Sequence, residues 1–295
     1  HNGQVSEECR LTYVLEQSTG LPVYLRVAAG NVVDVTTLER TFAELAVAGL
    51  PASWAVLDAG YWSAANVRAM EAAGISFLTR LKPNVEPYKR VVAERLAGGR
   101  EAGNLVAHGG RYVYVERVEA ELVPGVAGWL YLCLDMQARG QEQHRLYGRA
   151  GKRGLTPEQV HERMERMGVF VLASTADIAA PDVLGAYCAR QRIEQVFDVG
   201  KNYASLLPVR VHSEEALRGH LLLTFCATAL LCRLQSRLPA RASSMPQVLA
   251  AARNQKCKVY DDKVITCEPT SVANELYKAI GATCPVEIPL PCGKK

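Results

Sequence analysis

The chain has 295 residues, of which 49% are hydrophobic and 22% are charged, and its formal net charge is +4. This composition excludes a chain that is disordered over its whole length, because the apolar content is enough to bury a core. The mild basic excess permits an anionic partner without requiring one.

The first 82 residues alternate between strand-like and helix-like patterns. Ser18-Thr19-Gly20 predicts a turn between the first two strands, Gly49 is placed to end the first helix, and Ser63 is placed to cap the second. We expect the strands of this part to belong to one sheet. In chain order the predicted elements are strands at 8–17 and 21–28, a helix at 35–49, a strand at 53–58, a helix at 63–73 and a strand at 75–82.

From residue 84 onward the pattern changes, and Gly-rich breaks separate strand-like runs. After Pro181 the pattern is mainly helical to about residue 237, with one helix expected over about 182–200. The polar tail 240–295 is expected to be loosely ordered at its end. Strands that alternate with helices indicate the α/β class, here with a β-rich insertion. The later predicted elements are strands at 111–121, 128–135 and 168–174 and a polar helix near 157–166.

The nine cysteines are irregularly spaced and none forms a CxxC pair, which excludes a zinc ribbon or a thioredoxin-type motif. Cys226 and Cys232 lie in the apolar run 221–232, which is too short to span a membrane and predicts a buried helix. The polar first ten residues lead us to expect no signal peptide. The expected location is the reducing cytoplasm, with no membrane partner.

The most informative segment is 187–201, in which Tyr187, Arg190, Glu194 and Lys201 form the pattern Y-x2-R-x3-E-x6-K. On a regular α-helix these four side chains project from one side, in a stripe about 60° wide. Such a stripe is also compatible with a solvated helix face that carries an Arg190–Glu194 ion pair. The surrounding sequence decides between these two interpretations.

That surrounding sequence resembles the bacterial insertion-sequence DDE transposases of the YREK group. The likeness extends in order over about residues 10–235. It includes GLPVYLRVAAGNVVDVTTL, AVLDAGYWS, GVFVLAST, DVLGAYCARQRIEQVF and PVRVHSEEALRGH. Any one of these motifs would be weak alone, but together they are specific. The resemblance implies a ribonuclease H-like fold and a function in DNA transposition, by metal-dependent cleavage and strand transfer at transposon ends.

The resemblance also implies roles for particular residues. Asp58, at the end of the strand AVLD, and Glu194 would be catalytic ligands of two Mg²⁺ or Mn²⁺ ions, because phosphodiester chemistry of this kind uses paired metals held by carboxylates. We expect their carboxylates to lie roughly 4–8 Å apart without metal, allowing for side-chain rotation. Arg190, Lys201 and Tyr187 would contact DNA, mainly at phosphates. The expected partners are the terminal inverted repeats and target DNA, bound by a homodimer.

In such transposases a largely β insertion precedes the catalytic glutamate. The resemblance therefore suggests a division into a first part of the core (1–83), a β-rich insertion (84–175), the glutamate helix with later core helices (176–238) and a tail (239–295). Within the insertion, Trp129, Tyr131, Arg145 and Arg153 are further candidates for DNA contact, although Trp129 is better explained as core.

The first catalytic aspartate of the family precedes the hairpin strand near residue 8, and we therefore expect this chain to lack it and to be inactive alone. Asp34 is better explained as a helix cap. Two alternatives stay open: an inactive DNA-binding remnant of a decayed element, and a metal-dependent nuclease on the same fold. A small-molecule α/β enzyme is disfavoured, because the sequence has no GxGxxG, P-loop or GxSxG motif.

Overall fold

The computed structural model describes residues 9–30, 37–96, 101–150, 156–207, 209, 211, 213–238 and 245–290. The chain divides into two compact units, one formed by residues 1–13 and 24–193 and the other by residues 14–23 and 194–295. The helices are α1 (Leu38–Val47), α2 (Ala64–Ala72), α3 (Glu86–Arg95), α4 (Met136–Ala150), α5 (Pro157–Glu165), α6 (Ala180–Cys188), α7 (Arg192–Tyr203), α8 (Glu214–Arg237), α9 (Met245–Arg253) and α10 (Ser271–Ala279).

The strands of the described residues fall into three sheets. The largest has six strands in the order β3-β4-β8-β7-β6-β5, and in it β3 and β4 are parallel while the other neighbours are antiparallel. The strands are β1 (Cys9–Leu15), β2 (Pro22–Ala29), β3 (Trp54–Leu57), β4 (Ser76–Arg80), β5 (Leu105–His108), β6 (Arg111–Val123), β7 (Val126–Asp135), β8 (Val169–Ser174), β9 (Cys257–Val259), β10 (Lys263–Thr266) and β11 (Glu287–Pro289).

The six-stranded sheet has an apolar core on each face, because successive side chains of a strand point to opposite sides. One face contributes Phe77, Leu130 and Val171 to a core shared with α2 and α3, and the other packs Leu78 and Tyr131 against α6. A mixed sheet flanked by helices confirms the predicted α/β class and is consistent with a ribonuclease H-like core. Strands β5–β8, from the stretch predicted as an insertion, belong to this same sheet, and the proposed domain limits stay a prediction.

The prediction that the first two strands belong to the main sheet is wrong. Strands β1 and β2 form a separate two-stranded sheet and satisfy each other's backbone hydrogen bonds, and β3 has β4 as its one neighbour among the described strands. Side chains hold the hairpin instead: the Tyr24 hydroxyl donates to Glu44 at 3.0 Å, and Arg26 donates to the Thr37 carbonyl oxygen at 2.7 Å. Backbone pairing with the main sheet is therefore replaced by contacts with α1 and the residue before it.

Local signals place most element ends where the sequence predicts them. Gly49 follows α1 with a φ of 76°, which is the left-handed conformation that favours glycine. The Ser63 hydroxyl accepts from the Asn66 backbone N–H at 3.1 Å and caps α2. By contrast, α3 and α4 were not predicted. Helix α4 forms within a charged stretch because the Asp135 carboxylate accepts from the Ala138 N–H at 2.8 Å and supplies an N-cap.

The expected single helix over about 182–200 is helical throughout but not regular. A 3₁₀ turn, Ala189–Gln191, joins α6 to α7. Because a 3₁₀ turn advances by about 120° per residue rather than about 100°, the stripe calculated for one ideal α-helix does not hold across it.

In the second unit, the prediction that residues 221–232 form a buried helix is wrong. These residues lie in α8, where Leu223 and Leu230 are 73% and 71% exposed, and Cys226 is also exposed. The apolar side chains of α8 are spread around the helix rather than confined to one face, and its buried residues are Leu221, Thr224 and Thr228. Among the described helices, α8 alone is long and apolar enough to cross a membrane, and a single such helix is a weak indication of a span.

The tail contains more structure than its composition suggests. Helices α9 and α10 accompany a three-stranded antiparallel sheet in the order β11-β10-β9. The side chain of Gln255 helps to hold this part together by donating to the Cys267 carbonyl oxygen at 2.6 Å. The expectation of loose order at the very end falls on residues 291–295, which lie outside the described residues.

Candidate active site at the carboxyl edge of the parallel strands

Asp58 lies where the parallel strands β3 and β4 end. Leu57 is paired in register with Thr79, so the carboxyl ends of both strands meet at the same edge of the sheet. The Thr79 hydroxyl donates to the Asp58 carbonyl oxygen at 3.3 Å, and Oδ1 of Asp58 accepts from the Ala59 N–H at 2.8 Å. The Asp58 carboxylate thus caps the short 3₁₀ turn Ala59–Tyr61, while the Asp58 side chain remains 64% exposed.

Arg190 approaches Asp58 from a distant part of the sequence. It lies on the 3₁₀ turn after α6, with its Nη1 atom 3.5 Å from Oδ1 of Asp58. Its guanidinium carbon is 4.9 Å from the centroid of the Tyr187 ring. That ring is almost fully buried on the inner side of α6, and burial raises the pKa of the Tyr187 hydroxyl. Tyr187 is therefore a fixed support beneath a charged, partly exposed arginine.

Glu194 and Lys201 belong to the second unit and lie on α7. Glu194 is exposed in the first turn of the helix, and Lys201 follows seven residues later, which is about two turns on the same side. The Lys201 ammonium is 5.8 Å from the centroid of the Phe197 ring. Val196 and Val199 are buried. Helix α7 thus presents one acidic and one basic side chain to solvent from the same side.

The structure therefore brings Asp58, Tyr187 and Arg190 together in the first unit and sets Glu194 and Lys201 on one helix of the second. The distance between the Asp58 and Glu194 carboxylates stays a prediction. No group of three His, Cys, Asp or Glu residues that could hold a metal ion occurs among the described residues. The exposed carboxylate of Asp58 has the chemistry that Mg²⁺ prefers, but one carboxylate is not a complete site.

The other residues considered from the sequence are the four further candidates for DNA contact and the predicted helix cap. Tyr131 is completely buried, so the suggestion that it contacts DNA is wrong. Trp129 is half-buried beneath Arg117, whose guanidinium carbon is 3.7 Å from the ring centroid, which favours its interpretation as core. Arg145 is exposed on α4. Arg153 and Asp34 lie outside the described residues.

Sequence reasoning missed one charged residue at this edge. Arg80 ends β4, one position beyond the residue that is paired with Leu57, and its side chain is exposed. Its guanidinium carbon is 5.2 Å from the centroid of the Phe170 ring. The signal was present in the sequence, because Arg80 closes the strand after the one that ends at Asp58. Only the parallel register shows that the two positions are neighbours.

A protein-family model described as the transposase DDE domain matches residues 6–230, which is most of the chain. The chain belongs to the transposase DDE domain family. The matched range includes Asp58, Tyr187, Arg190, Glu194 and Lys201. A search of curated proteins finds no match. Membership in the transposase DDE domain family associates the chain with enzymes of DNA transposition, and therefore with DNA as a partner.

Proposed function

We propose that this chain is the catalytic domain of an insertion-sequence transposase of the YREK group, which cleaves and joins DNA at transposon ends. The observation that supports this proposal most strongly is the approach of Arg190 to Asp58 at the carboxyl edge of β3 and β4. A carboxylate for metal binding and an arginine for phosphate binding then occupy one edge, as phosphodiester chemistry requires.

Each residue of the proposed site has its own task. Arg190 and Lys201 bind phosphates of the transposon end and hold the DNA backbone in register. Tyr187 positions Arg190 through the contact of its ring with the guanidinium, and the contact of Tyr187 itself with DNA stays a prediction. Asp58 and Glu194 are the ligands for Mg²⁺ or Mn²⁺, which supplies charge neutralisation at the scissile phosphate when bound. The DNA substrate is the terminal inverted repeat and then target DNA, held by a homodimer.

The ion pair between Arg190 and Asp58 is also what the proposal expects of the protein before DNA and a divalent cation bind. Both charges reach solvent to some extent, with side-chain exposures of 28% for Arg190 and 64% for Asp58. A partly exposed pair of this kind is weak, so competing ions can separate it at little cost. DNA phosphates would then attract Arg190, and a divalent cation would attract Asp58.

Iron-directed cleavage of the polypeptide tests whether Asp58 and Glu194 share a metal. Fe²⁺ binds oxygen-ligand sites of divalent cations, and with ascorbate and peroxide it cuts the chain beside the bound ion. We expect cuts beside both Asp58 and Glu194, and excess Mn²⁺ should suppress both. Asp58→Asn and Glu194→Gln should each remove both cuts, since each variant takes away one ligand of the same site.

Asp177→Asn is the matched control, because Asp177 is also an exposed aspartate that pairs with an arginine. Its cutting pattern should equal that of the wild-type chain. Cuts beside only one of the two acids, or cuts that survive in either site variant, would contradict the proposed metal site. Circular dichroism of each variant confirms that the fold is retained.

A further inference from the structure

Arg80 occupies a special position in the six-stranded sheet. It lies two residues after Leu78 on β4, so its side chain projects from the same face as Leu78, the face covered by α6. Because Leu57 pairs with Thr79, Arg80 on β4 and Asp58 after β3 occupy equivalent positions at the carboxyl edge. The arginine and the aspartate are therefore neighbours at the end of the parallel pair.

The guanidinium of Arg80 is supported by an aromatic ring rather than by an acid. Phe170 on β8 lies beneath it, with 5.2 Å between the guanidinium carbon and the ring centroid. No carboxylate of the described residues lies within ion-pair distance of Arg80, and the side chain is exposed. Stacking of this kind holds a guanidinium in place while leaving its N–H donors directed outward.

The surroundings of Arg80 carry excess positive charge. Arg190 is partly neutralised by Asp58, but Arg80 has no such partner among the described residues, and Lys82 follows it with an exposed side chain. The buried Tyr187 hydroxyl lies in the same field: burial and the charge of Asp58 raise its pKa, while the charges of Arg190 and Arg80 oppose that shift. An exposed edge with this balance attracts an anion.

We propose that Arg80 binds a DNA phosphate beside the scissile position, as a further phosphate-binding residue of the transposase. This proposal rests on the proposed function and adds a second strand end to the DNA-binding edge. The guanidinium, held on Phe170, would donate to two oxygens of one phosphodiester, a geometry that arginine provides and lysine does not.

A purely structural role would give a different result. If Arg80 only packs on Phe170, its replacement lowers stability and leaves the DNA affinity of the folded protein unchanged. If it binds phosphate, its replacement lowers affinity and also reduces the number of counterions released on binding. The dependence of affinity on salt concentration separates these two roles, because the slope reports the number of neutralised phosphates.

The experiment measures binding of the full chain to a fluorescein-labelled, mixed-sequence DNA duplex by anisotropy across a range of salt concentrations. Arg80→Gln should weaken binding about tenfold at low salt and reduce the slope of log affinity against log salt by about 0.9. Arg80→Lys keeps the charge and should restore most of the slope, but only part of the affinity.

Arg68→Gln is the matched control, because Arg68 is exposed on α2, which packs on the opposite face of the sheet. It should bind with the wild-type affinity and slope. If the wild-type chain binds DNA and Arg80→Gln binds with the same affinity and slope, the Arg80 proposal alone is overturned. Failure of the wild-type chain to bind DNA would overturn the proposed function as well. Thermal unfolding of each variant confirms that the measured protein is folded.

Discussion

Two arginines stack on aromatic rings on the same face of the six-stranded sheet, and their surroundings differ. Arg117 lies over Trp129 in the middle of the sheet and forms an ion pair with Asp177. Arg80 lies over Phe170 at the carboxyl edge and has no carboxylate partner among the described residues. The same residue type therefore occupies a neutralised cluster in one region and an unneutralised one in the other.

The central cluster consists of Arg117, Trp129, Tyr131 and Asp177, and its two charged groups pair with each other. Beside Trp129, the hydroxyl of Tyr131 donates to the Ile178 carbonyl oxygen at 2.7 Å and accepts from the Ile178 N–H at 3.1 Å. Its charges and hydrogen bonds thus hold the segment before α6 against the sheet. The edge cluster of Asp58, Arg80 and Arg190 has exposed groups and one more positive charge than negative. The central cluster therefore supports the fold, and the edge cluster is available to a ligand.

The largest expected effect concerns the close packing of the central region. A side chain on Gly128 would place its Cβ 2.6 Å from the Ser174 carbonyl oxygen and 2.7 Å from a methyl carbon of Leu122. Because the backbone atom cannot yield easily, Gly128→Ala should lower the free energy of unfolding by about 3 kcal/mol. Urea denaturation measures this loss.

Gly140→Ala is the control for this substitution, because Gly140 lies in α4 with no heavy atom within 4 Å of an added Cβ. Alanine is the better helix former, so this variant should be more stable by about 0.5–1 kcal/mol. Equal losses for both glycines would contradict the packing described for β7.

The second effect concerns the hydrogen bonds of the buried Tyr131 hydroxyl. Tyr131→Phe leaves the Ile178 N–H and carbonyl groups without this partner, and should lower the free energy of unfolding by about 2 kcal/mol. Tyr112→Phe is the control, because Tyr112 is 62% exposed on β6. Its change should stay within about 0.5 kcal/mol. If Tyr131→Phe also changes the free energy of unfolding by less than about 0.5 kcal/mol, the hydroxyl does not hold the segment before α6.

The third effect concerns the central arginine. Arg117→Gln should lower the free energy of unfolding by about 1 kcal/mol, because it removes the stacking on Trp129 and an ion pair whose Asp177 side is 66% exposed. A double-mutant cycle with Asp177→Asn separates the ion pair from the stacking. If thermal unfolding of Arg117→Gln equals that of the wild type, the central cluster is not a stabilising one.

The smallest effect on stability is expected at the edge. The Arg190–Asp58 ion pair is 3.5 Å long and exposed on the aspartate side. The Arg190 guanidinium carbon is also farther from its aromatic ring, at 4.9 Å from the Tyr187 centroid, than that of Arg117, at 3.7 Å from the Trp129 centroid. Arg190→Gln should therefore lower the free energy of unfolding by no more than about 0.5 kcal/mol. A loss larger than that of Arg117→Gln would remove the distinction between a structural centre and a ligand-binding edge.

Much of the fold could be predicted from local signals in the sequence. The apolar run before Asp58 gave β3, the Ser63 cap marked α2, and Gly49 ended α1, because each depends on residues close in the chain. The separate β1–β2 sheet could not be predicted, since periodicity does not say which strands pair. Helix α4 was missed because its charged composition hides a cap supplied by Asp135. The exposed apolar side chains of α8 show that apolar content alone does not establish burial.

The candidate site divides in the same way. Asp58, Tyr187, Arg190, Glu194 and Lys201 came from motif spacing and family resemblance, and the structure adds the contact between Arg190 and Asp58. Arg80 was not predicted, because its relation to Asp58 depends on the register of β3 against β4. That register results from long-range backbone pairing, and no spacing along the chain encodes it.

Whether the carboxyl edge binds DNA is tested most directly by comparing the DNA binding of Arg190→Gln and Arg117→Gln across a range of salt concentrations. Each variant loses one positive charge from an arginine that contacts an aromatic ring and an aspartate. If the carboxyl edge is the DNA-binding site, Arg190→Gln reduces the slope of log affinity against log salt by about 0.9, and Arg117→Gln leaves it at the wild-type value. Equal slopes for the two variants, or a reduced slope in Arg117→Gln alone, would show that the carboxyl edge is not the DNA-binding site.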